Sequence, residues 1–401
     1  MSKRTEGGIA APAGFRAAGA RAGLKKQGLD IALIVSDTPA AMAGVFTTNK
    51  VQGATVGLCR ERLKSRRGQA IVVNSKNANA CTGAQGRRDA ERMAALTADA
   101  LGLTPDLVYV ASTGVIGVPL PMDKIAAGIA RVVPALSREG ADDAMRAIMT
   151  TDTREKQTAC ETVVDGRTVR VGGMAKGAGM IEPNMATMLA FLTTDAAVDP
   201  AALQTALADA VGQSFNKITV DGDQSCNDTV LLMANGLAGN TPLTPAHPDW
   251  PAFADALNRL TLDLALMIAR DGEGATKFVT VRVCGAASDA DARRIARSVA
   301  NSLLVKTSWF GEDPNWGRII DAAGYAGADM DPERVDIRFD DLLCVRNGCL
   351  APDVSLSALE AVLKQKEFTV RIDLNLGAGT DLAYTCDCSV EYVRINSDYT
   401  T

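Results

Sequence analysis

The chain has 401 residues, 42 Lys+Arg against 47 Asp+Glu and a formal net charge of −5. Its composition is 47% hydrophobic and 22% charged, which excludes a mainly disordered chain. The mild acidity gives no electrostatic drive toward nucleic acid or an anionic membrane surface, and the length suits two lobes better than one core.

The N-terminus, Met1-Ser2-Lys3-Arg4-Thr5-Glu6-Gly7-Gly8, turns to glycine where a signal peptide has its apolar stretch. No apolar run approaches the length of a bilayer span. A soluble cytoplasmic protein is expected. In chain order, Ile31–Val35, Ala70–Asn74 and Leu107–Val110 read as buried strands, with helices over Arg88–Leu101 and Met122–Leu136. Thr162–Val164 and Thr168–Val171, joined by Asp165-Gly166, form a hairpin signature. Strands follow at Thr187–Leu192, Lys217–Val220 and Thr229–Met233, then a long helix over Trp250–Arg270. The last third gives a helix over Ser288–Asn301 and strands at Phe368–Leu374 and Leu382–Val393. Strands and helices interleave without a regular βαβ beat, which predicts α+β layers.

Nine cysteines are scattered with no CxxC pair, so they read as structural buried thiols and not as a zinc site or disulfide framework. The single histidine, His247, lies between prolines in Pro245-Ala246-His247-Pro248 and reads as a solvated loop residue. Ser-His-Asp and Cys-His catalysis and His-ligated metals are thereby excluded. The glycine-rich Gly172–Gly179 carries a GxG, but Glu182 stands where a dinucleotide fingerprint has its third glycine, and no P-loop occurs.

The densest segment is Lys176-Gly177-Ala178-Gly179-Met180-Ile181-Glu182-Pro183-Asn184-Met185-Ala186-Thr187-Met188-Leu189. By pattern alone Thr187 is a β-branched residue opening a strand. Without histidine, a threonine hydroxyl needs another base. Cutting the Ala186–Thr187 bond supplies one, because the freed α-amine has a reference pKa of about 7.7–8.0.

Long strings then carry a family resemblance from end to end: Gly44–Asn49, Val73–Gly83, Ala111–Gly117, Met149–Thr153, Lys176–Leu192, Asp221–Thr229, Asp271–Lys277, Phe310–Arg318 and Ile395–Thr401. The chain resembles the ornithine acetyltransferase (glutamate N-acetyltransferase) family of arginine biosynthesis. The resemblance implies a layered sandwich of the N-terminal-nucleophile-like type with a smaller C-terminal α/β lobe at approximately 280–395. It also implies self-cleavage between Ala186 and Thr187, into an α chain of 1–186 and a β chain of 187–401 that stay associated as α2β2. Thr187 is then the nucleophile of a ping-pong reaction, taking acetyl from N2-acetyl-L-ornithine and passing it to L-glutamate. Thr113 and Gly114 match the oxyanion pair. Thr150, Lys176, Thr187, Glu273, Asn396 and Thr401 match the substrate contacts. No metal or bound cofactor is implied, and acetyl-CoA is a second acetyl donor in part of the family. Cys226 and Ala178 depart from the family pattern at positions where threonine and serine are usual. The competing readings are a self-cleaving aminopeptidase or amidohydrolase of related architecture, and an uncleaved, silent paralogue.

Overall fold

The computed structural model describes residues 2–182 and 188–398. The cleavage residues Ala186 and Thr187, the Pro183-Asn184 turn and Thr401 lie outside the described residues. Two compact units are present: one within 2–216 and 223–268, the other 217–222 and 269–398.

Among the described residues, the first unit is built on nine strands: β1 (Lys3–Thr5), β2 (Phe15–Ala20), β3 (Ile31–Phe46), β4 (Arg67–Asn74), β5 (Val108–Ser112), β6 (Gln157–Val164), β7 (Arg167–Lys176), β8 (Leu189–Thr194) and β9 (Thr229–Ala234). They lie in the order β1-β6-β7-β8-β9-β3-β4-β5, with β2 beside β3. The pairs β4/β5 and β8/β9 are parallel, and the helices Gly83–Leu101 and Pro200–Gln213 lie in their crossovers. Strand β3 runs far past the expected Val35. Its register shifts between Val35 and Ala40, around Pro39, so its first half pairs with β2 and β4 and its second half with β9. Proline, which has no N–H to give, is tolerated at such an irregularity. The helix at Met122 stops at Val132 instead of Leu136, because Pro134 cannot continue it. Phe15, Ile34, Ile71, Tyr109, Phe191 and Leu231 share this unit's core. The Asp165-Gly166 hairpin turn forms as expected, with positive φ at both residues.

The second unit holds β10 (Phe278–Ala286), β11 (Asp336–Phe339), β12 (Leu342–Arg346), β13 (Cys349–Leu350), β14 (Glu367–Asp373) and β15 (Gly379–Cys386), in the order β13-β12-β11-β14-β10-β15. Alternation along β14 buries Phe368, Val370 and Ile372 and leaves the other face open, as in a sheet covered on one side. Ile295 and Val299 of helix Asp289–Asn301, capped by Ser288, join Trp309 in that cover. Two expected strands are corrected here. Lys217–Val220 contributes a single bridge, Ile218 to Tyr384. The segment to Val393 leaves β15 at Cys386 and turns into helix Val390–Asp398. The Ser389 hydroxyl accepts from the Tyr392 amide, and Asp387 accepts from the Thr276 and Lys277 amides, so the strand ladder ends there. Each unit is a mixed sheet with helices layered on it, an α+β architecture. Among the described residues no helix is long and apolar enough to cross a membrane.

Candidate active site

Strand β5 delivers Thr113 and Gly114 into a turn over the end of β4. The Thr113 amide donates to the Asn74 carbonyl at 3.1 Å, and the Val115 amide to the Lys76 carbonyl at 3.1 Å. Gly114 has φ +131°, and a Cβ there would sit 2.2 Å from the Lys76 carbonyl carbon, so only glycine fits. Among the described residues neither the Thr113 hydroxyl nor the Gly114 N–H has an acceptor. Two donors on adjacent residues are left for a ligand, the arrangement an oxyanion requires.

The turn is braced from below by amides. Ser112 Oγ donates to Asn74 Oδ1 at 2.6 Å, Asn74 Nδ2 to the Asn77 carbonyl at 2.9 Å, and Asn77 Nδ2 to the Val118 and Pro119 carbonyls. From the loop ahead of β9, Asn227 Nδ2 donates to the Ser112 carbonyl at 2.6 Å and also to the Ala78 carbonyl. Next to it stands Asp228, buried, with Lys176, Ser225 and the Met188 amide around its carboxyl. Burial lifts this carboxyl well above the usual carboxylate range, and those three neighbours offset only part of the rise. Cys226 packs with Ala78, Ala80 and Ile116, and burial pushes its thiol up to about 11, so it acts as a small hydrophobe.

Thr150 and Lys176 are brought together by one carboxylate. Asp152 Oδ2 accepts from the Thr150 amide at 2.9 Å, while Oδ1 accepts from Lys156 Nζ and from the Gly177 amide, each at 2.7 Å. Burial alone would raise Asp152; the Lys176 and Lys156 ammonium groups outweigh it and hold the carboxyl at about 2. Lys25 belongs to the same electrostatic group. Its Nζ donates to the Leu29 carbonyl at 2.7 Å and the Ala147 carbonyl at 3.3 Å. Burial lowers it to about 8, with Lys176 adding to the fall and Asp30 and Asp152 opposing it. Asp30 in turn gathers the amides of residues 22–25.

In the second unit, Glu273 and Asn396 meet directly: Asn396 Nδ2 donates to Glu273 Oε2 at 2.8 Å. Glu273 is buried and Asn396 exposed. Gly274 makes the contact feasible. It has φ +68°, and a Cβ there would lie 2.5 Å from the Tyr392 nitrogen, so a side chain would push away the helix that carries Asn396. The Ser389 hydroxyl donates to the Gly274 carbonyl at 2.6 Å and pins the same approach.

The ArgJ family model matches residues 16–401. The chain belongs to the ArgJ family. The arginine biosynthesis bifunctional protein ArgJ of Symbiobacterium thermophilum is 55% identical over 399 residues, covering 98% of this chain and 99% of that protein. The protein of the same description from Geobacter sulfurreducens is 52% identical, covering 97% and 99%. A crystal structure of the bifunctional ArgJ protein from Bacillus halodurans aligns with a TM-score of 0.51 and 46% identity, over 53% of this chain and 100% of that one.

Within this ArgJ-family chain, several groups have no assignment from sequence reasoning: Lys25, Asp152, Lys156, Asn227 and Asp228. Asp152 and Asp228 fall inside motif strings already quoted, yet nothing in a string says which of its polar residues is buried. His247 corrects the solvated-loop reading. Its side chain is 12% exposed, with Nε2 3.2 Å from Asp165 and Nδ1 accepting from the Asp249 amide at 3.0 Å. Asp165, His247 and Asp249 lie close enough to share a cation, but these hydrogen bonds already occupy the ring nitrogens. The group sits at the hairpin end of β7, and ten strand residues, about 30 Å of extended chain, separate it from Lys176. The cysteines are partly corrected as well: Cys81 and Cys349 are exposed, while Cys59, Cys160, Cys226, Cys344 and Cys386 are buried.

Proposed function

We propose that this chain is an acetyltransferase of arginine biosynthesis that moves acetyl from N2-acetyl-L-ornithine to L-glutamate through an acetyl ester on Thr187. The observation that carries the reading is the donor pair of Thr113 and Gly114, open to a ligand and braced by Asn227 in the loop that also brings Asp228 to Met188, the residue after Thr187. The full-length similarity to proteins described as bifunctional in arginine biosynthesis supports the same reaction and a second donor, acetyl-CoA.

The first event is self-cleavage. The Thr187 hydroxyl attacks the Ala186 carbonyl, the C–N bond breaks as the nitrogen takes a proton and becomes the free α-amine, and water then hydrolyses the resulting ester to release the Ala186 carboxylate and return the Thr187 hydroxyl. The products are an α chain of 1–186 and a β chain of 187–401, associated as α2β2.

In each turnover the free amine removes the Thr187 hydroxyl proton as oxygen attacks the acetyl carbon of N-acetylornithine. The oxyanion forms against Thr113 and Gly114; each such donor is typically worth about 3 kcal/mol. Collapse expels ornithine, whose nitrogen carries the proton away. The glutamate amine then attacks the ester and releases N-acetylglutamate and free Thr187. Thr150, Lys176, Glu273, Asn396 and Thr401 are the residues this reading assigns to holding substrate. No metal or resident cofactor enters these steps, and the working place is the cytoplasm.

Intact mass under denaturing conditions tests this, before and after incubation with N-acetylornithine or acetyl-CoA. The expected result is two fragments meeting at Ala186–Thr187 and an acetyl gain on the second, discharged by glutamate. A single unmodified chain sinks the proposal. An acetyl group lost to water as fast as to glutamate turns the reading to a hydrolase.

A further inference from the structure

Strand β9 runs parallel to β8, with Thr229 opposite Leu189, so Asp228 stands beside Met188. The Thr229 amide donates to the Met188 carbonyl at 3.1 Å, and the Met188 amide faces the Asp228 carboxyl. That amide is the nitrogen of the Thr187–Met188 peptide. The carboxyl is 3% exposed, and its Oδ2 has no hydrogen-bond partner among the described residues. A carboxylate kept in such a place without a close partner is costly, whereas a neutral carboxyl keeps an acceptor and a donor at smaller expense. Burial raises this carboxyl well above the usual carboxylate range and so favours its neutral form. Neither self-cleavage nor acetyl transfer, as derived above, uses it.

The neighbouring residue supplies the other half of the argument. Asn227 donates to the Ser112 carbonyl, directly before Thr113, while the Asp228 carboxyl faces the Met188 amide. Consecutive side chains of one loop therefore touch the residue before Thr113 and the residue at the start of β8. We infer that Asp228 is a positioning residue for self-cleavage and acetyl transfer: its buried carboxyl lies against the Met188 amide and fixes the chain at the residue that follows Thr187. This assignment rests on Thr187 being the nucleophile.

The test compares wild type, Asp228→Ala and Asp228→Asn, each purified as the full chain, for cleavage by intact mass and for acetyl transfer by steady-state kinetics. Asp228→Asn keeps a neutral acceptor of the same shape; Asp228→Ala removes it. Asp228→Ala is expected to lower kcat by about 100-fold, the scale of an ångström misplacement, with KM for N-acetylornithine within about threefold. Asp228→Asn is expected to recover kcat to within about tenfold of wild type. Should Asp228→Ala fail to fold, recovery in Asp228→Asn decides alone. An Asp228→Ala enzyme within about twofold of wild type overturns the assignment, and so does an Asp228→Asn enzyme that folds but has lost about 100-fold or more in kcat, because the proton would then have to move. A wild type that is neither cut nor acetylated overturns the nucleophile reading itself; a cut and acetylated wild type confines any failure to Asp228.

Discussion

Asn227 donates its side-chain amide to the Ser112 carbonyl at 2.6 Å across 115 residues of sequence. The bond joins the approach to β9 with the strand end that presents Thr113. A backbone carbonyl has two lone pairs, and Ser112 spends one on a side chain where no neighbouring strand continues the ladder. Asn227→Ala leaves the Ser112 and Ala78 carbonyls without this donor in a buried setting, at a cost of about 1–3 kcal/mol. Urea unfolding should show that loss, and kcat should fall further than KM changes, because Thr113 and Gly114 lose their brace. Wild-type stability and turnover in Asn227→Ala would show that the turn holds itself.

Asp152 makes a second prediction, on pH. Its carboxyl falls from an ordinary 3.8 in the unfolded chain to about 2 in the fold. A depressed carboxylate contributes stability that is fully present above about pH 4 and disappears as pH falls through the folded value near 2. The size is about 2 kcal/mol. Urea midpoints between pH 2 and 6 should therefore drop on the acid side in wild type and drop less steeply in Asp152→Asn. Asp152→Asn should also weaken substrate binding, since the Thr150 amide and Lys176 lose the charge that spaces them. Identical acid limbs in the two proteins would contradict the assignment.

Lys25 titrates in the other direction. Burial brings it down to about 8, so it is largely neutral at pH 9, where ordinary lysines stay charged. Between about 8 and 10.5 the unfolded chain binds the extra proton, so this residue makes stability rise with pH across that window. Competitive labelling with an amine reagent, read by peptide mass spectrometry, should give Lys25 a half-point near 8. A half-point above 10 would mean that Asp30 and Asp152 outweigh burial.

What could be read from the sequence was local chemistry. The Asp165-Gly166 turn follows from the backbone preferences of its own residues. The remainder depends on partners far along the chain. Nothing near Asp152 says that Gly177 will come to it, and nothing near Asn227 names Ser112. The tail illustrates the competing case. Val390 and Val393 favour a strand, and both are exposed on a helix, because the Ser389 hydroxyl takes the Tyr392 amide and the Gly274 turn leaves room for that helix. His247 differs from a solvated loop residue for the same reason: its flanking prolines do mark a loop, but Asp165, 82 positions away, lies against the ring.

In the proposed reaction, Glu273 is the residue that separates the two substrates. N2-acetyl-L-ornithine carries a free δ-ammonium and glutamate does not, so a buried carboxylate that meets this ammonium discriminates between donor and acceptor. Glu273→Gln keeps an oxygen for Asn396 Nδ2 and removes only the charge. Stability should stay within about 0.5 kcal/mol of wild type if the charge has no structural task. The KM for N-acetylornithine should rise about 10-fold to 100-fold, the loss expected when a hydrogen bond to a charged group becomes a neutral one. The KM for glutamate, measured with acetyl-Thr187 formed in advance, should stay within about threefold. Equal increases for both substrates would place Glu273 in general site architecture, and no change for either would remove it from the ammonium contact.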